Sequence, residues 1–302
     1  MEFPTFLPRM NFKNFVFAGL VLLLQGCVKN NPDPSWLYID KWSLVANPEL
    51  SGAEGELSQS LTEAWVYIND QCVGVFELPV KIPLLKSGAV DVKVYVKVYP
   101  GVRVNGIAAT KKIYPFCSVY STNLTLTQNQ IVSIAPVTKY VSNAQFIIED
   151  FEGANVMLEN DPNTSMANFV LDNTDLQPFN GNTYAKVDLN STDSIWVAYT
   201  TFGSYLPKGK EVYLEIDYYT TNRVVTSLLA ISPSGLKKNP NIQLNKSTPE
   251  TVKWKKMYIE LRELIGASEA SAYFDHGFEA WKESTLPNTE IRIDNIKVVY
   301  MP

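Results

Sequence analysis

The sequence has a single histidine and only three cysteines in 302 residues. One imidazole excludes every site built on two, HExxH zinc centres among them. There is no Cys-x-x-Cys pair, no phosphate-cradling glycine loop and no Gly-x-Ser-x-Gly elbow. Basic residues form no block, and 26 Lys and Arg are outnumbered by 31 Asp and Glu, so a surface that tracks nucleic-acid phosphates is excluded. Long apolar runs are also lacking. Phe15 to Leu24 covers only ten residues, too short to cross a bilayer of ~30 Å as a helix. What is abundant is aromatic and turn-forming: 16 Tyr, 14 Phe, 6 Trp and 18 Pro, a balance that favours strands joined by turns. With 46% hydrophobic residues the chain can build packed cores, and its length suits about two domains.

The short apolar run follows a basic stretch carrying Arg9 and Lys13 and ends on Leu24-Gln25-Gly26-Cys27. A basic region, a short apolar segment and a small residue before a cysteine read as a secretory leader. The last four residues resemble the lipobox of bacterial lipoproteins, with Gln25 departing from the small or apolar residue usual there. The resemblance implies cleavage after residue 26, acylation of Cys27 and anchoring in the outer membrane, on its periplasmic side or at the cell surface. Each buried methylene contributes about 0.8 kcal/mol, so several acyl chains hold firmly. The mature chain would carry 24 basic against 30 acidic residues. Residues 27–35, polar and Pro-containing, are expected to form a lipidated tether. Cys72 and Cys117 remain. An exported chain can keep a disulfide, and spacing alone leaves both a bridge and two thiols open.

A first module is expected over 36–142. In Ala89 to Tyr99, five valines at even positions alternate with Asp91, Lys93, Tyr95, Lys97 and Tyr99. That is the signature of a half-buried antiparallel strand. Ala64 to Ile68 and Val73 to Glu77 flank Asn69-Asp70-Gln71-Cys72 as a hairpin. These stretches resemble PEGA-type and Ig-like extracellular β-sandwiches, without the Pro-Glu-Gly-Ala signature. The resemblance implies a module that spaces or presents something. The sole local basic cluster, Arg103, Lys111 and Lys112, is too small to claim anionic lipid or nucleic acid.

A second module is expected over 145–302, with about eight strands and no long helix, hence a two-sheet sandwich. In the closing strand, Ile291 and Ile293 share one parity and Ile296, Val298 and Tyr300 the other, so a β-bulge is expected at Asp294-Asn295. Glu149-Asp150-Phe151-Glu152, Gly181 to Val187, Trp254 to Leu261 and Ile293 to Ile296 resemble the motifs of galactose-binding-like jelly rolls, the fold of many carbohydrate-binding modules. The resemblance implies a core role for Trp254. It also implies a structural calcium ion held by Glu149, Glu152 and Asp294, with Asp188 contributing; a cation of that kind needs six to eight oxygens. The alternative for Asp294 is a hydrogen-bonded residue at the bulge.

No catalytic residue is expected. His276 lacks a nucleophile partner and reads as a loop or strand-end residue. Sugar binding needs exposed aromatic rings beside polar groups. The candidates are Trp281, Tyr205, Trp196 and Tyr219, with Tyr199 a further one. Asp193-Ser194-Ile195 also resembles an O-glycosylation tripeptide of Bacteroidetes-type exported proteins. The whole chain resembles surface lipoproteins of such bacteria: an all-β, non-catalytic protein, an Ig-like sandwich followed by a jelly roll. Its expected partner is a glycan, or alternatively an outer-membrane protein in a secretion, motility or adhesion complex.

Overall fold

The computed structural model describes residues 32–98, 100–101, 112–173, 181–248, 252–286 and 289–302. Cys27, Arg103 and Lys111 lie outside the described residues. The first module contributes β1 (Ser35–Ile39), β2 (Ser43–Leu44), β3 (Glu63–Ile68), β4 (Gln71–Glu77), β5 (Val80–Leu84), β6 (Gly88–Val98), β7 (Pro100–Gly101), β8 (Lys112–Ile113), β9 (Tyr120–Leu126), β10 (Ile131–Ile134) and β11 (Val137–Thr138). The second contributes β12 (Gln145–Glu149), β13 (Leu158–Asn160), β14 (Val170–Asp172), β15 (Tyr184–Leu189), β16 (Ile195–Thr200), β17 (Val212–Thr220), β18 (Val224–Ser232), β19 (Gly235–Leu244), β20 (Lys255–Glu260), a short helix α1 (Arg262–Gly266), β21 (Tyr273–Trp281) and β22 (Thr289–Tyr300). The fold is all-β, as expected.

In the first module one sheet runs β4-β3-β6, with β8 and β9 sharing the far edge of β6, and faces a smaller sheet, β10-β1-β5. The even-numbered valines of β6 are all buried and pack on Leu37, Ile39 and Ile82 of the smaller sheet within one cluster. The β3–β4 hairpin turns at Asn69-Asp70, both with positive φ (50° and 60°). That geometry matches the strand twist. β1 starts at Ser35, the last residue assigned to the expected tether. Asn129 holds what precedes it, its backbone N–H on the Pro34 carbonyl (2.9 Å) and its side-chain amide on Asp33 (2.9 Å). Cys72 is exposed and Cys117 half-buried, and both are free thiols. Burial pushes the Cys117 thiol up and keeps it protonated.

The second module is a sandwich of two antiparallel sheets, as a jelly roll requires. One runs β14-β15-β22-β17-β20, with β12 also on β22; the other runs β13-β16-β21-β18-β19. Their inner faces meet in a core that includes Trp196, Ile216, Leu228, Phe274 and Phe278. Two residues of β22, Asn295 and Ile296, stand against the single Ile216 of β17 between the Asp217–Asp294 and Glu215–Lys297 pairs. This is the expected bulge, one residue further along, with Asn295 at φ 48°.

The modules are not beads on a string. β7 adds in parallel to β20 and so extends the second module's sheet with a first-module strand. Tyr213, Tyr258 and Val299 belong to the first module's core cluster. Tyr114 packs edge-to-face on Tyr213 (5.2 Å) and Tyr258 (5.4 Å). Every residue of β17 is therefore buried, although its sequence alternates. The buried face is polar as well as aromatic. Glu215 accepts hydrogen bonds from Tyr114 and from Tyr140 (3.1 Å) and an ion pair from Lys256 (3.2 Å). Lys256 also reaches Asp217 (3.5 Å) and Ser58 (2.9 Å).

Candidate functional site

The first module covers one sheet of the second and leaves the outer face of the β13-β16-β21-β18-β19 sheet uncovered, although Val197, Ser227, Leu229 and Asp275 on that face are buried by their own neighbours. Strand parity decides what that face carries. Trp196, Ala198, Phe274, Phe278, Ala280 and Leu228 point into the core. Their neighbours point out: Ile195, Val197 and Tyr199 on β16, the odd residues from Tyr273 to Trp281 on β21, and Val225, Ser227, Leu229 and Ile231 on β18. The register arranges them in rows. Ile195 lies beside Trp281, Glu279 between Val197 and Val225, Gly277 between Tyr199 and Ser227, and Tyr273 beside Ile231. β19 adds Lys238 next to Leu229 and Gln243 next to Val225. β13 adds Glu159 next to Tyr199.

Aromatic rings thus stand at three stations. Trp281 is 50% exposed at one end. At the other, Tyr205 is 73% exposed and leans on Tyr273 with ring centroids 6.2 Å apart. Half-buried Tyr199 lies midway. Eight residues of β21 separate the ends, about 26 Å at strand rise. Between them the floor is low. Gly277 has no side chain, and a Cβ there would collide with the Ser227 hydroxyl. That hydroxyl is buried, and no partner for it is found among the described residues. Lys238 and Glu279 form an ion pair across the floor, and burial lowers the Lys238 ammonium although the Asp161 carboxylate acts to raise it. Asp275 is held under the 201–205 loop by the Gly203 N–H (2.8 Å), and burial raises its carboxyl. Flat rings with an amide, carboxylates and an ammonium between them suit a polyhydroxylated ligand with apolar ring faces.

Of the four expected ligand-binding aromatics, Trp281 and Tyr205 are on this face and two are not. Trp196 is 0% exposed. It pairs with Ala280 rather than Trp281, stacks on Phe278 and donates its indole N–H to Asn160 (3.1 Å). Tyr219 is 1% exposed, on the other sheet, beneath the Arg292 guanidinium (5.6 Å). His276 is no loop residue either. It points into the sandwich core from mid-β21, beside Phe202, and burial lowers its imidazole to about 3. Trp254 is half-buried, packed edge-to-face on Tyr184 at 5.4 Å. Tyr273, Gly277, Glu279, Ser227 and Lys238 went unread in the sequence, the last because β19 shows no apolar alternation.

The calcium ligands do not converge. Glu149 spends its carboxylate on the Phe151 (2.6 Å) and Met157 amides. Glu152 spends its own on Asn182 and Thr183, each at 2.7 Å. Exposed Asp188 lies 3.7 Å from Lys186. Asp294 is buried in the bulge and accepts the Asn295 N–H (2.7 Å). Burial raises its carboxyl to about 8, with Asp217, Glu152 and Asp150 adding to the rise. Among the described residues no group of three His, Cys, Asp or Glu side chains is arranged to hold a metal ion.

No family model and no curated protein matches the sequence. Solved structures similar to the chain include carbohydrate-binding modules. One is the CBM22-1 xylan-binding domain of Paenibacillus barcinonensis Xyn10C, at 10% identity and TM-score 0.38, over 51% of this chain and 93% of that one. Another is a family 11 carbohydrate-binding module of Clostridium thermocellum, in complex with a mixed-linked tetrasaccharide, at 15% identity and TM-score 0.34, over 51% and 94%. A third, from work on promiscuous carbohydrate-binding modules of the β-sandwich superfamily, has 14% identity and TM-score 0.37 over 88% and 98%.

Proposed function

We propose that the protein binds a glycan chain, without turning it over, on the open face of the β13–β19 sheet. The observation that carries this is the placement of Trp281, Tyr199 and the Tyr205–Tyr273 pair on one face, around a floor in which Gly277, Ser227, Lys238 and Glu279 lie among Val197, Val225 and Leu229. Rings spaced along a strand seat successive sugars, while Lys238, Glu279 and Gln243 offer hydrogen bonds to hydroxyls. The test is affinity electrophoresis or calorimetry against a panel of soluble neutral polysaccharides. The wild type is expected to bind at least one, with affinity about tenfold weaker in Trp281→Ala and lost in Trp281→Ala/Tyr199→Ala. Failure of the folded wild type to bind any member overturns the proposal.

In this reading the chain is anchored in the outer membrane through acylated Cys27. Asp33 lies six residues beyond Cys27, a reach of at most ~20–22 Å, so the first module would sit close to the bilayer. Mass spectrometry of the native protein should find Cys27 at the amino terminus with its acyl chains. An intact leader or an unmodified thiol rules this out.

A second reading, docking of an outer-membrane protein partner, draws on the outer face of the β4-β3-β6 sheet. There Trp65 opposes Tyr95 across strands, and Tyr67 packs on Tyr95 edge-to-face at 5.3 Å. Co-purification of a partner that is lost in Trp65→Ala would favour it.

A further inference from the structure

A cleft of about 420 Å³ opens at the seam between the modules, lined by Ser60, Thr62 and Val98 on one side and by β20 and the chain leading into it on the other. It lies outside the open sheet face described above. Its volume falls in the range of ligand sites, and module seams are where such sites concentrate. Its charge is unlike that of the molecule. The chain has a net charge of −5, yet the described residues that line the cleft include Lys253, Lys255 and Lys256 and no acidic side chain.

The three lysines differ in availability. Lys256 is neutralised by Glu215 and Asp217. Lys255 donates to the carbonyls of Asn245 (3.0 Å) and Lys246 (2.8 Å) and makes no ion pair among the described residues. Lys253 is exposed and makes no ion pair among the described residues. Burial and, after it, the neighbouring Lys253 lower the Lys255 ammonium, so the two lysines repel one another along one wall of the cleft. An anion between them would relieve that repulsion. The other walls suit a sugar ring: Trp254 and Tyr258 are aromatic, and Thr62 and Asn245 are polar. Two available cations are too few for a nucleic-acid backbone.

We propose that the seam cleft is a second binding site, for an acidic sugar residue whose carboxylate sits between Lys253 and Lys255 and whose ring lies against Trp254. The site does not depend on the sheet face, and both modules are needed to form it.

The test is calorimetric titration of the full chain with an oligogalacturonate, a neutral oligosaccharide of equal length and inorganic phosphate, each at low and high salt. Saturable binding of the oligogalacturonate is expected, weakened by salt, about tenfold weaker in Lys253→Glu and unchanged in Trp281→Ala. Lys253 is exposed, so the variant's melting temperature should match the wild type and exclude misfolding. No saturable binding of the oligogalacturonate overturns the proposal. So does binding that survives both Lys253→Glu and Lys255→Gln, or that inorganic phosphate matches in affinity. Binding lost in Trp281→Ala but not in Lys253→Glu would place acidic sugars on the sheet face, overturning this site while leaving the first reading intact.

Discussion

His276 shows how a single residue can be misread and what its true position costs. One histidine beside Asp275 and Gly277 looks like an exposed strand end. Its even parity on β21, shared with Phe274 and Phe278, turns it inward instead. Neither ring nitrogen has a partner among the described residues, and burial holds the imidazole down at about 3. The folded state therefore keeps His276 neutral, whereas the unfolded chain binds a proton below about 6.5. A depressed histidine loses stability as pH falls from about 6.5 toward 3 and has no effect above that window. His276→Leu should thus leave the melting temperature at pH 7.5 unchanged or raised, because it replaces an unsatisfied polar ring by a carbon chain. It should also flatten the wild-type decline between pH 6 and pH 4. Equal acid sensitivity in both proteins would show that His276 finds a partner in solution. Trp196 and Trp281 make the same point in reverse. Both are tryptophans on paired strands, and only parity, even for Trp196 on β16 and odd for Trp281 on β21, separates a core residue from a surface ring.

At the scale of the strand, legibility followed burial. β6 and β22 could be read because one face of each meets a core, and the parity slip in β22 betrayed its bulge. β19 could not. It is an edge strand exposed for most of its length, its Lys237-Lys238-Asn239-Pro240 run lacks apolar alternation, and Pro240 sits at the register shift where β18 passes from Thr226 to Ser227. An edge bulge is where a strand tolerates proline. β19 nevertheless supplies Lys238 to the candidate glycan face, so the least legible strand carries part of the site. The close pairing of β18 with β21 gives a prediction of its own. Gly277 opposes Ser227, and any larger residue meets the serine hydroxyl. Gly277→Ala should cost about 1–3 kcal/mol, the usual penalty of overpacking, read as a lower urea midpoint with an unchanged slope. Ser227→Ala removes the colliding atom and should recover most of the loss in the double variant. A double variant no more stable than Gly277→Ala alone would mean the strain lies in the backbone and not in this contact.

The whole molecule explains why the module interface was not visible in the sequence. In β17 the residues Tyr213, Glu215, Asp217 and Tyr219 alternate with apolar ones, which reads as a strand with one wet face. That face is dry because residues more than a hundred positions away come to lie on it: Tyr114 reaches Glu215 with its hydroxyl, and no local pattern encodes such a partner. The cluster is a buried charge system. Burial alone would raise the Glu215 carboxyl, but Lys256 and Lys297, with the Tyr114 hydroxyl, hold it below its usual value. The same burial would lower Lys256, and Glu215 and Asp217 together raise it. Removing one partner strands the other in a medium of low polarity, which typically costs 3–5 kcal/mol. Glu215→Ala is therefore expected to lower the urea midpoint steeply. Glu215→Leu/Lys256→Met, which removes both charges and keeps the volume, should be more stable than Glu215→Ala. Because Tyr213, Tyr258 and Val299 complete the first module's core, both modules should unfold together. Near-ultraviolet dichroism from the Tyr114–Tyr213–Tyr258 cluster and far-ultraviolet dichroism from the sheets should lose their signals at one midpoint in the wild type. Two separated transitions would mean that each sandwich is stable alone. The seam cleft would then be a hinge surface, not a fixed site, and acidic-sugar binding there would have to be accompanied by a measurable rise in the lower of the two midpoints.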